Sequence, residues 1–118
     1  MKMKIYDALK ADPFIADKVK NEIKFYEYPP TDAMEGFYIV VDPLDVPIPG
    51  TFADNRTLTR NYLYQIEVWA LEPVDDIADR ISDVMWDLGF GQRGGIDEYD
   101  KDTAIFRQAR RYEGTFYK

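Results

Sequence analysis

Apolar residues first recur at helical spacing at Ile5, Ala8 and Leu9, which predicts a short helix over residues 3–10. Asp12-Pro13 interrupts it, with Asp as a cap and Pro in the first position of a second turn holding Phe14, Ile15 and Val19. Ile23, Phe25, Tyr26 and Tyr28 then predict a strand that stops at Pro29-Pro30, and the β-branched and aromatic run Gly36 to Val41 predicts a central one. From Asn61 to Leu71 the period becomes two: Tyr62, Tyr64, Ile66 and Val68 point one way, and Leu63, Gln65, Glu67 and Trp69 the other. Between Val74 and Leu88 the apolar residues Val74, Ile77, Ala78, Ile81, Val84, Met85 and Leu88 share one helical arc of about 120°. Gly89 stands where a left-handed stop belongs, and Phe90 is placed to fold back on the last turn. Two more strands are expected over residues 92–99 and 103–112, with Asp100-Lys101-Asp102 as the turn between them.

The stretch from Asp42 to Arg60 breaks the pattern. Pro43, Pro47, Pro49 and Gly50 precede the polar Asp54-Asn55-Arg56-Thr57, and so long a connection is expected to be a mobile loop with a functional use. The element order is α-β-β-β-α-β-β. It predicts an α+β fold: one domain over residues 1–118, with a mostly antiparallel sheet of four to five strands and two helices on one face.

Composition narrows the chemistry. The 118 residues include neither His nor Cys, which excludes His-dependent triads, disulfides and metal sites built on the usual nitrogen and sulfur ligands. A formal charge of -7 argues against binding nucleic acid by counterion release. No segment is long and apolar enough to span a membrane, and acidic residues interrupt any apolar run after Met1-Lys2-Met3-Lys4. The charge is unevenly placed: residues 61–88 hold seven acids and one arginine.

Individual motifs mostly read as ordinary structure. Gly89-Phe90-Gly91-Gln92-Arg93-Gly94 matches a dinucleotide pattern, but it follows a helix where the mechanism needs a strand before and a helix after, so it reads as a cap entering a strand. Asp97, Glu98, Asp100 and Asp102 lack the glycine and closing glutamate of a calcium loop and read as a turn. No cofactor or metal is expected. The stronger signal lies on the 74–88 helix. Asp75, Asp79 and Asp83 lie opposite its apolar arc, and Trp86 falls about 140° from the centre of that arc. Such a Trp is either covered by a neighbouring segment or meets another subunit. Arg107 and Arg111 share one face of the last strand, with Arg110 on the other, and are expected to pair with the acidic helix of a neighbouring copy in a head-to-tail contact.

Several phrases together resemble a known family: Ile5-Tyr6-Asp7-Ala8-Leu9-Lys10, Tyr38-Ile39-Val40-Val41, Ala53-Asp54-Asn55, Tyr64-Gln65-Ile66-Glu67-Val68-Trp69, Leu88-Gly89-Phe90 and Arg110-Arg111-Tyr112-Glu113. They are similar to tail-completion proteins of long-tailed bacteriophages and prophages, also called tail-terminator or tail-to-head joining proteins. The resemblance spans nearly the whole chain but consists of short hydrophobic phrases. It implies a non-enzymatic virion component, made in the host cytoplasm, that caps the tail tube as a ring of six. Its partners would be further copies of itself, the tail-tube protein and the head-connector protein. DNA would pass through an acidic lumen without specific binding. The 42–60 stretch would reach a neighbour or docking partner, so the candidate contact residues are Trp86, Asp79, Asp83, Arg107, Arg111, Phe52, Asp54 and Asn55.

Two alternatives stand beside this reading. One is an acidic inhibitor that mimics DNA in a basic groove. The other is a small hydrolase using a carboxylate pair, which predicts a pocket holding a carboxyl group of raised pKa.

Overall fold

The computed structural model describes residues 1–19, 22–30, 34–44, 48–53 and 56–117, with the backbone alone at 48, 49, 51–53, 56 and 57. Three helices, α1 (Lys2–Ala11), α2 (Pro13–Val19) and α3 (Asp75–Asp87), pack against a sheet of six strands. The strands are β1 (Ile23–Phe25), β2 (Tyr38–Pro43), β3 (Ile48–Ala53), β4 (Arg56–Ala70), β5 (Gly91–Asp100) and β6 (Ile105–Tyr117). They lie in the order β1-β2-β4-β6-β5, with β3 paired to β4 alone. β1 and β2 run parallel, and every other pair is antiparallel. The expected α+β architecture with helices on one face is therefore the observed one.

Two expectations need correction. Asp12-Pro13 separates two helices, not one helix and a stray turn, so the described residues hold three helices. The Asp12 carboxylate accepts the N–H groups of Phe14 and Ile15 at 3.1 Å each, capping α2 in place of the missing helical acceptors. In addition, the 42–60 stretch, expected as an irregular loop, contains β3 and the start of β4. β2 and β3 follow one another along the same edge of the 15-residue β4, which is why one strand can serve both. β3 has a single strand neighbour and irregular register around Gly50, a setting in which Pro49 forfeits no interior ladder bond.

The core lies between helices and sheet. Tyr64, Ile66, Val68 and Ala70 of β4 and Ile39 and Val41 of β2 meet Ile5, Leu9, Ile15, Val19, Ile77, Ala78, Ile81 and Met85 from the helices. Alternation along β4 and the apolar arc of α3 thus predict the buried faces correctly. The C-terminal stop of α3 also forms as expected. Gly89 takes φ +99°, its N–H reaches the Trp86 carbonyl at 2.9 Å, and the Phe90 N–H reaches the Met85 carbonyl at 2.9 Å. This doubled hydrogen bond returns Phe90 to the core, where its ring meets Tyr64 and Phe116.

Candidate functional site

Arginine side chains lock the helices to one another and to the sheet, and this decides which acids remain outside. Arg80 on α3 donates to the Asp12 carboxylate at 2.6 and 2.7 Å, tying α3 to the cap of α2 and holding the Asp12 carboxyl below the usual carboxylate range. Arg110 on β6 points up under α3. Its guanidinium donates to the Asp79 carboxylate at 2.8 Å, the Ser82 hydroxyl at 2.9 Å, the Ala78 carbonyl at 3.2 Å and the Gln108 side chain at 2.6 Å. Gln108 in turn donates to Asp75 at 3.0 Å. Tyr112, pushed above its ordinary pKa by burial, shares a 2.8 Å hydrogen bond with Ser82.

Among the candidate contact residues, Asp79 is therefore held by its own chain, as is Asp75 of the same acidic stripe. Asp83 is exposed and makes no ion pair among the described residues. Trp86 is 72% exposed: no loop and no part of the N-terminal segment covers it among the described residues. It stands one helical turn beyond Ser82, whose hydroxyl also reaches Gln92 of β5 at 3.2 Å, so Trp86 lies on the flank of α3 above β5.

Arg107 and Arg111 lie on the opposite face of the sheet, the face without helices, as period two requires. Arg107 already has two carboxylate partners within its own chain. Its Nε donates to Glu67 at 2.6 Å and its Nη1 to Glu98 at 3.1 Å, and its guanidinium lies 5.3 Å from the Trp69 ring centre. Burial alone would lower the Arg107 pKa, but the two carboxylates raise it. Glu67 is wholly buried: the Trp69 indole N–H donates to it at 3.2 Å and the Gln65 amide at 3.0 Å. Tyr28 closes the far side of Trp69, with ring centres 5.7 Å apart. Arg111 is exposed and reaches only the Gln65 amide oxygen, at 3.2 Å, among the described residues. Phe52 sits on β3, paired with Thr57, while Asp54 and Asn55 fall outside the described residues.

Asp42 lies near this network on the same face, and its carboxyl is raised above its usual value. Burial is the larger cause, the Glu67 charge adds to it, and Arg107 offsets part. The hydrolase reading asks for such a carboxyl in a pocket. A groove of about 820 Å³ is lined instead by Trp69, Glu98, Tyr99, Lys101, Ile105 and Arg107, and neither Asp42 nor Glu67 lines any of the described grooves. Both Glu67 oxygens are occupied by donors from its own chain. No group of three or more carboxylates able to hold a metal ion forms among the described residues, and Asp100 to Asp102 make the expected turn, with the Asp102 N–H donating to Asp100 at 2.9 Å.

Glu67 and Arg110 were not singled out by the sequence pattern. Glu67 alternates with Ile66 and Val68 as a solvent-facing residue would, and nothing local marks it as buried. Arg110 carries a signal only in hindsight of register, since it shares its face with Gln108 and Tyr112 under a helix that offers Asp75, Asp79 and Ser82.

No protein-family model and no curated protein matches the sequence. Solved structures do, thirteen chains in all. One belongs to the "Virion of native gene transfer agent (GTA) particle": it superposes with a TM-score of 0.71 at 16% identity, over 97% of this chain and 92% of that one. At that identity the likeness establishes a shared fold, nearly end to end.

Proposed function

We propose that the chain is a non-enzymatic structural component of a phage-like virion, and specifically that it caps the tail tube as a ring of six and joins the tail to the head connector. The observation that carries this reading is the fold likeness to a virion chain over nearly the full length of both molecules. Sequence phrases similar to tail-completion proteins supply the finer role. Surface chemistry supports assembly over catalysis: Asp75, Asp79, Glu67, Arg107 and Arg110 are held within the chain's own architecture, while a large aromatic side chain, Trp86, stands in solvent. The DNA-mimic alternative loses support because two acids of its stripe, Asp75 and Asp79, are held by Gln108 and Arg110.

The test is decoration of tail tubes. Purified protein mixed with uncapped tubes is expected to give rings at one tube end only, with the further consequence that capped tubes stop growing and bind connector. Protein that leaves tube ends bare and tube length unchanged would refute the role.

A further inference from the structure

The two ends of the sheet differ in chemistry and match in geometry. At one end, β5 has a single strand neighbour among the described residues, and nine of its ten residues are exposed, including Ile96 at 46%, Tyr99 at 53% and the acids Asp97, Glu98 and Asp100. A long edge strand with exposed apolar residues is a template for pairing with another chain. Trp86 lies on the α3 flank one turn beyond Ser82, at the Gln92 end of this edge. At the other end, β1 carries exposed Lys24, and the flank of α1 beside it is basic and aromatic. Tyr6 packs on Phe25 with ring centres 5.8 Å apart, Lys2 donates to the Tyr26 hydroxyl at 3.2 Å, and Lys10 lies 5.6 Å from the Tyr6 ring centre. The β5 edge thus carries three acids beside Arg93, and the β1 flank carries Lys2, Lys10 and Lys24 with Tyr6 and Tyr26, beside Glu22 and Glu27.

Register adds a geometric argument. Lys24 pairs with Val40, Val40 with Glu67, Glu67 with Ala109 and Ala109 with Ile96, so Lys24 and Ile96 end one continuous row across the sheet. β1 runs against β4 and β5 runs with it, so the two edges have opposite directions. Rotating a second copy about an axis along the strands brings its β1 antiparallel to β5 at the same level. A contact that continues this row has no translation along the strands, and such a head-to-tail contact closes into a ring when its rotation is a whole fraction of a turn.

We propose that β5 and the Trp86 flank of α3 in one copy bind β1 and the Lys2–Lys10 flank of α1 in a second copy, continuing the sheet from subunit to subunit. The joint deepens the ring reading above and rests on it only for the number of copies. It also replaces the Arg107-to-helix contact with one that uses Asp97 and Lys24, which make no ion pair among the described residues.

Because the native chain has no cysteine, the joint can be trapped without background. Lys24→Cys and Ile96→Cys in one chain place two thiols on the same face at facing ends of the row, within reach of a cross-strand disulfide. Oxidation of the concentrated, folded double variant is expected to give a ladder of covalent multimers, whereas each single variant gives dimers at most. Circular dichroism of the reduced variant shows whether it has folded. Should that pair fail to fold, Lys24→Glu in the otherwise native chain is expected to shrink the assembly seen in sedimentation of the concentrated protein, and an unchanged size overturns the proposal. A folded double variant that gives no ladder overturns the proposal. A ladder from a protein that never decorates tail tubes upholds the joint and sinks the tail-cap role. Adding Trp86→Ala to the double-cysteine chain is expected to slow the ladder by at least about tenfold, the mark of an interface anchor. An unchanged rate removes Trp86 from the joint and overturns the proposal as stated.

Discussion

Arg107 and Glu67 form a 2.6 Å ion pair on the sheet face that no helix covers, and Glu67 in that pair is wholly withdrawn from water. A buried carboxylate on an apparently open face is explained by its lids: Trp69, Gln65 and Arg107 each donate to it, and Tyr28 backs Trp69. Its stabilising contribution is easily overstated. Desolvating two charges offsets much of their attraction, so the pair is best tested by breaking it from one side.

Arg107→Ala leaves Glu67 buried with its charge uncompensated. We expect a loss of about 3–5 kcal/mol in urea unfolding, whereas Arg107→Met with Glu67→Leu is expected to recover most of it. A loss under about 1 kcal/mol for the single variant would mean that the Trp69 and Gln65 donors suffice.

Asp12 joins a helix cap to an inter-helix ion pair. Asp12→Ala is expected to cost about 1 kcal/mol from the cap alone, with α2 fraying first in amide hydrogen exchange. The folded carboxyl titrates below its unfolded value of 3.8, so its contribution is fully present above that pH and is lost as pH falls through the folded value. Native protein should therefore lose stability below about pH 4 more steeply than Asp12→Ala.

Asp42 carries the opposite sign. Its folded pKa lies above the unfolded 3.8, so ionising it costs the fold stability as pH rises from 3.8 through the folded value. Asp42→Asn is expected to raise the denaturant midpoint at neutral pH, and the gain should vanish below about pH 3.8. A variant that is equally or less stable at pH 7 would contradict the assignment.

Gly89 holds a backbone conformation that side chains resist, and a Cβ there would stand 3.2 Å from the Phe116 ring. Gly89→Ala is expected to cost about 1 kcal/mol or more, read as a fall in Tm of several degrees.

The chain has two tryptophans in different settings, Trp69 half-buried under Tyr28 and Trp86 in solvent. In Trp69→Phe, excited beyond the tyrosine absorption band, only Trp86 emits. Its fluorescence should be red-shifted and readily quenched by acrylamide in the monomer, then shift to the blue as protein concentration drives assembly. A spectrum independent of concentration, in samples shown to have assembled, would place Trp86 outside the contact.

Much of this molecule was legible along the chain because the governing effects are local. Period two along β4, the apolar arc of α3, the Asp12-Pro13 break and the Gly89 stop each depend on neighbours a few residues away, so residue types alone select them. The 42–60 stretch misled because proline and glycine speak against an interior strand, whereas β3 is an edge strand with one partner, and only pairing with β4 reveals that. The site depended even more on distance in sequence. Glu67 meets Arg107 across 40 residues and Asp79 meets Arg110 across 31, and such pairs are set by sheet register and helix packing, not by any pattern along the chain. An acidic stripe thus reads from sequence as a surface for a partner. The fold assigns Asp75 and Asp79 to the chain's own Gln108 and Arg110, and leaves Trp86 exposed on the flank of α3 beside β5, a strand paired along one edge alone among the described residues.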